Sequence, residues 1–139
     1  MAVKVVDASA LGALLFGEPD GPAVAERLRE SRLIAPALLP FEVANTCIKK
    51  MRRHSDQRDA LIAGFRMLHG MEIGIVEIDH SEAVILGERL GLTAYDASYL
   101  WLAMETRSEL VTLDRRLEAA RCRNGPGPKR VKAGGCPSG

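Results

Sequence analysis

Net charge is nearly absent from this 139-residue chain, at +1. No overall basicity therefore advertises a nucleic-acid partner, and any such binding must come from a local patch. Cysteine is scarce: Cys47, Cys122 and Cys136 are odd in number, far apart and without C-x-x-C spacing. They read as free thiols of a reducing compartment, with Cys47 a small core residue on a helix. Together with His54, His69 and His80 they lack the spacing of a zinc site. No apolar run approaches the roughly 20 residues that cross a bilayer. Met1 leads straight into the strand-like VKVV, not into a charged leader and apolar signal core. The expectation is a cytoplasmic protein with no membrane partner. No G-x-G-x-x-G follows the first strand, which disfavours a dinucleotide enzyme. A phosphoacceptor domain would want a paired acid after that strand and a lysine after the last one, and neither is present. No internal repeat is found.

What is present is an ordinary globular balance, 47% hydrophobic and 27% charged, in a length that suits one domain. AVKVVDAS is an almost uninterrupted apolar run ending in Asp7, the mark of a strand buried on both faces. LGALLFG reads as a short helix stopped near Gly17 and Pro19, and a helix from about Pro22 to Glu30 leads to the strand RLIAP. A long helix then runs to about Arg53, with an apolar face of Phe41, Ala44, Ile48 and Met51 beside a polar face of Glu42, Asn45 and Lys49. Residues 56–69 form another helix, ended at Gly70. IGIVEID is the third strand. Asp79 and Glu82 then open a helix closed by Gly91. Thr93 caps the nearly all-apolar YDASYLWLAM, which belongs in the interior. ELVTLD is the fourth strand, and Asp114 opens RRLEAA. The alternation of strands with helices predicts a parallel sheet with right-handed crossovers, a three-layer α/β/α sandwich. Residues 1–123 make up the domain. Residues 124–139 form a Gly/Pro-rich tail with an edge strand expected at 129–131 and disorder beyond.

Asp7, Glu42, Asp96 and Asp114 each fall where a strand or loop hands over to a helix. In an open parallel sheet such positions gather outside the carboxyl ends of the strands. Two carboxylates about 5 Å apart repel by about 3 kcal/mol at an effective dielectric near 20. A hard divalent cation such as Mg²⁺ or Mn²⁺ offsets that repulsion, because it takes oxygen ligands. Each acid alone also fits a capping or first-turn role, and Asp79, with Glu82 as its partner, is read as a cap only. The joint pattern favours a shared metal site. Asp7 ends an apolar strand and Asp96 heads an apolar helix, where an uncompensated charge is costly. Thr112 lies on the same side of its strand as Asp114 by the period of two. Ser9 lies two residues after Asp7, and both hydroxyls suit a supporting role.

VVDASAL, LLPFEVANT, LGLTAYDASYLWLA and LVTLDRRLEAA, in that order from about Val3 to Ala120, resemble the PIN-domain ribonucleases, specifically the VapC toxins of bacterial toxin–antitoxin pairs. The resemblance implies a PIN-like fold and a metal-binding active site of Asp7, Glu42, Asp96 and Asp114, with Thr112 as accessory. It implies Mg²⁺- or Mn²⁺-dependent cleavage of RNA by an activated water, leaving 5′-phosphate and 3′-hydroxyl ends. Asn45, on the Glu42 helix, is grouped with Ser9 and Thr112 as a supporting residue. A histidine acid–base ribonuclease is the weaker chemistry, since the three histidines show no pairing. RNA phosphates are assigned to Lys49, Arg52, Arg53, Arg115 and Arg116. Basic residues at a helix end satisfy the macrodipole equally well. Tyr95 is read as core rather than as a stacking platform, and Tyr99 and Trp101 as core or interface. The resemblance further implies a homodimer and a protein antitoxin seated in a groove of Leu11, Leu14, Leu15, Phe16 and Phe41. The alternative is an inactive PIN-like module that binds a protein or RNA.

Overall fold

A computed structural model describes residues 1–124 of the protein. The strands are β1 (Ala2–Val6), β2 (Ser31–Ala35), β3 (Gly74–Ile75) and β4 (Glu109–Val111). The helices are α1 (Ala8–Leu15), α2 (Gly21–Leu28), α3 (Leu39–Arg53), α4 (Arg58–Arg66), α5 (His80–Leu90), α6 (Ala94–Thr106) and α7 (Arg115–Asn124). All strand pairs are parallel, in the order β3-β2-β1-β4. The chain builds outward from β1 through β2 and β3, then returns to pair β4 with the other side of β1. The order therefore reverses between β1 and β4, and the crevice outside their carboxyl ends is where open α/β sheets bind ligands.

Val5 and Val6 of β1 and Leu110 and Val111 of β4 are fully buried. They pack against α6, whose Tyr99, Leu100 and Leu102 are equally enclosed. The helices fall into two mutually packed groups, α1–α4 and α5–α7, and the expected α/β/α sandwich is the observed fold. Close approach within the first group relies on glycine. Gly64 of α4 lies against the carbonyl of Leu15, where a β-carbon would collide.

Several local expectations are corrected. Only Gly74 and Ile75 of IGIVEID pair with β2. The ladder ends because β2 runs into Pro36, which has no N–H to donate; the last bond is from the Val76 amide to the Ala35 carbonyl at 2.9 Å. The helix expected over 56–69 is an α-helix only from Arg58 to Arg66, flanked by 3₁₀ turns at Ser55–Gln57 and Met67–Met71. On α3 the buried row is Leu39, Val43 and Cys47, while Phe41 is 76% exposed. α1 packs on α3, with Gly12 facing the Thr46 side chain. Cys47 is a free, buried thiol, whereas Cys122 is disulfide-bonded, which corrects the reading of three free thiols. The expected strand at 129–131 lies outside the described residues. Among the described residues no helix is long and apolar enough to cross a membrane.

Candidate active site

Asp7 follows β1 and caps α1. Its Oδ1 accepts the Ala10 amide at 3.0 Å and the Ser9 hydroxyl at 2.7 Å. Its Oδ2 accepts the Thr112 hydroxyl from the end of β4. Thr112 Oγ1 also accepts the Asp114 amide at 3.0 Å, and Ser9 Oγ accepts the Leu113 amide at 2.9 Å. Asp114 in turn caps α7 through the Leu117 amide at 2.9 Å. One hydrogen-bonded chain thus ties the carboxyl ends of the two central strands together. On the facing helices, Thr93 caps α6 through the Asp96 amide at 3.1 Å, which holds Asp96 in the first turn. One turn later on α6, the Tyr99 hydroxyl donates to Glu42 Oε1 of α3 at 2.6 Å.

Three of the four carboxylates are shifted by burial and by another member of the quartet. Asp7 is only 4% exposed; burial raises its pKa above the usual carboxylate range, with a further push from Asp114, against the lowering by Thr112, Ala10 and Ser9. Burial also raises Glu42, with Asp96 and Asp7 adding to the effect and the Tyr99 hydroxyl opposing it. Asp96 is raised by burial and by Asp114, while the Arg116 guanidinium and Thr93 pull it down. These influences put residues 7, 42, 96 and 114 in one electrostatic neighbourhood. They are not in ligating contact: among the described residues no three Asp, Glu, His or Cys side chains form a group able to hold a metal ion as placed. Part of the cause is visible in the hydrogen bonds. Asp7 and Asp114 are committed to their own helix ends and Glu42 to Tyr99.

The supporting residues separate. Ser9 and Thr112 join the network, whereas Asn45 lies exposed one turn beyond Glu42. Lys49, Arg52, Arg53, Arg115 and Arg116 are all exposed. Lys49 and Arg53 border a depression of about 230 Å³ in which Lys50 pairs with Glu18. Of the groove residues, Leu14, Leu15 and Phe16 are half-buried and Phe41 is open, but Leu11 is wholly in the core and lines no surface. Tyr95, expected in the core, is 63% exposed in the first turn of α6.

Tyr99 is the residue that sequence reasoning missed. Read as core or interface, it is indeed 1% exposed, yet its hydroxyl reaches an acid of the quartet. The available signal was its place three residues after Asp96, on the same helical face. Burial and the neighbouring Glu42 push its own pKa far up, so it stays a donor. Tyr99→Phe is expected to cost about 1–2 kcal/mol at neutral pH by leaving a carboxylate oxygen without its donor. The hydroxyl lowers the Glu42 pKa, so its loss raises that pKa further. A protonated Glu42 needs the donor less, and the penalty shrinks as pH falls through the raised Glu42 value. Urea midpoints of both proteins at neutral and mildly acidic pH measure this.

Comparison with known proteins adds three findings. The family model described as the PIN domain matches residues 4–121. A protein of Pyrobaculum aerophilum named Ribonuclease VapC3 is 30% identical over 118 residues, covering 81% of this chain and 90% of that protein. A crystal structure of PAE2754, also from Pyrobaculum aerophilum, superposes with a TM-score of 0.69 at 28% identity, covering 86% of this chain and 84% of the other.

Proposed function

The chain belongs to the PIN-domain family, and from that premise we propose that it is a divalent-metal-dependent endoribonuclease acting as the toxin of a type II toxin–antitoxin pair. The likeness to Ribonuclease VapC3 supports a VapC-type nuclease. The observation that supports the metal mechanism is the gathering of buried or half-buried acids where the strand order reverses: burial raises the pKa values of Asp7, Glu42 and Asp96, and a neighbouring acid of the quartet adds to each. Every candidate ligand is a hard oxygen donor, which suits Mg²⁺ or Mn²⁺. The reading requires the carboxylates to draw together when the cation binds. A cation held there acidifies a water molecule and neutralises charge on the phosphate oxygens.

The chain's own residues divide the remaining work. Asp7, Asp96 and Asp114 hold the cation, and Glu42 serves a second ion or a water. Ser9 and Thr112 fix the orientation of Asp7 and Asp114, and Tyr99 fixes Glu42. Arg116, already near enough to Asp96 to lower its pKa, neutralises an RNA phosphate together with Arg115. Lys49, Arg52 and Arg53 lie about 10–16 Å along α3 from Glu42 at 1.5 Å per residue, in line to follow the backbone. Leu14, Leu15, Phe16 and Phe41 seat a protein antitoxin. A second copy of the chain and a cytoplasmic setting complete the proposal.

The lack of a closed ligand set favours a second reading, an inactive module that binds a partner. Cleavage of single-stranded RNA by the purified protein separates the two. The nuclease cuts with Mg²⁺ or Mn²⁺, stops in EDTA and leaves 5′-phosphate ends. Cutting that persists in EDTA removes the metal mechanism, and no cutting with either metal leaves the binding module.

A further inference from the structure

A cavity of about 370 Å³ opens at the start of α6, and none of the four acids lines it. Pro36, Ala37 and Leu38 wall it from the end of β2, Val76, Glu77 and Ile78 from the end of β3, and Ala94, Tyr95 and Ser98 from the start of α6. It thus lies outside the carboxyl ends of β2 and β3, along the same sheet edge on which β1 and β4 carry Asp7 and Asp114. Tyr95 is the residue next to Asp96, so the cavity and this one carboxylate share the first turn of one helix.

The lining has the chemistry of a heterocycle site. Its walls are mainly aliphatic, and the Ser98 hydroxyl is already spent on the Ala94 carbonyl at 2.7 Å. Polar groups are confined to exposed positions, Glu77, His80 and Tyr95. The volume lies at the small end of the roughly 300–1,000 Å³ typical of small-ligand pockets, which suits one base with its sugar. A tyrosine 63% exposed at such a rim leaves a ring face free for stacking, the means by which proteins hold splayed bases of single-stranded RNA. Glu77 and His80 offer an acceptor and a donor or acceptor to a base edge.

We infer that this cavity receives one unstacked RNA base adjacent to the scissile phosphate, with Tyr95 as its stacking platform and Glu77 and His80 as readers of its edge. The inference rests on the nuclease reading, since it takes the bound chain to pass over the quartet. It gives the enzyme a base-specific contact that the exposed lysines and arginines, bound to phosphates, do not supply.

The test uses the full chain with Asp7→Asn, which binds RNA without cutting it, and short RNA oligomers carrying one abasic site at each position in turn. At one position, loss of the base weakens binding by the Asp7→Asn protein about tenfold, the scale of one base–aromatic stack. With Tyr95→Ala added, the same abasic site changes affinity less than about twofold, because the partner is already gone. Tyr95→Phe keeps the full effect, and Glu77→Gln changes which base is preferred at that position alone. If no position couples to Tyr95, the base-site inference is overturned while the nuclease stands, and the cavity passes to another occupant such as a partner peptide. If the protein neither binds these oligomers nor, as wild type, cuts RNA with Mg²⁺ or Mn²⁺, both readings fall together.

Discussion

Asp96→Asn is expected to lower RNA cleavage by more than about a hundredfold while leaving the fold intact. Asn is isosteric with Asp, and the α6 cap runs from Thr93 to the Asp96 backbone amide, which the substitution keeps. What it removes is the charge at the one quartet member that heads the interior helix. Loss of a residue that merely orients a metal ligand costs roughly 10–100-fold, so loss of a ligand itself must exceed that. Asp7→Asn is expected to match it, since Asn also caps helices well and keeps the Ala10 amide satisfied. Asp79→Asn is the control. Asp79 caps α5 through the Glu82 amide at 3.0 Å and is exposed; its replacement leaves cleavage within about twofold, since surface changes of this kind stay near ±0.5 kcal/mol. Initial rates on one RNA at saturating Mn²⁺ check all three. Equal loss in all three variants would make the acids interchangeable caps with no shared site.

Mn²⁺ is expected to raise the thermal midpoint of the wild-type protein substantially and that of Asp96→Asn hardly at all. Burial and mutual repulsion raise the pKa values of Asp7, Glu42 and Asp96 in the fold. A carboxyl whose folded pKa is raised binds its proton more tightly folded than unfolded. Its ionisation therefore costs stability, and the cost grows as pH rises from the ordinary carboxylate range through the raised folded value. The metal-free protein is then more stable at mildly acidic than at neutral pH as far as these groups decide it, and Asp96→Asn raises its neutral-pH midpoint. A cation reverses the sign by binding only the folded, ionised set. At a hundred times its dissociation constant it adds about 2.7 kcal/mol, roughly 10 °C for a chain of this size. Scanning calorimetry with and without Mn²⁺ at two pH values measures it. A midpoint that ignores Mn²⁺ at neutral pH removes the cation from the proposal.

The fold was legible because its signals are local. The apolar run ending at Asp7, the Thr93 and Asp79 caps and Gly91 each specify a short piece of backbone, and the alternation of strand and helix then leaves few topologies. The period of two that puts Thr112 beside Asp114 corresponds to a real link, from the Thr112 hydroxyl to Asp7 and from the Asp114 amide to Thr112. What escaped depends on contacts between distant segments. Phe41 and Ile48 make as good a helical stripe as Leu39, Val43 and Cys47, and only the helices packed on α3 decide which row is buried. The third strand was too long on paper because Pro36, far away in the chain, ends its partner. Tyr99 and Tyr95 stand four residues apart on one helix, and of the two expected core residues only Tyr99 is buried. A spacing of four puts both on one side of the helix, so the pattern alone does not separate the buried ring, which reaches Glu42, from the exposed one in the first turn. The sequence also could not show that caps on Asp7 and Asp114 coexist with their shared field.

The most direct measurement is a crystal of the protein grown with Mn²⁺ and examined for anomalous scattering. A single strong peak among Asp7, Asp96 and Asp114, absent from Asp96→Asn, is the expected result. A protein that cuts RNA while its Mn²⁺ lies elsewhere, or nowhere, would contradict the claim that these three acids, far apart in the chain, hold the catalytic ion.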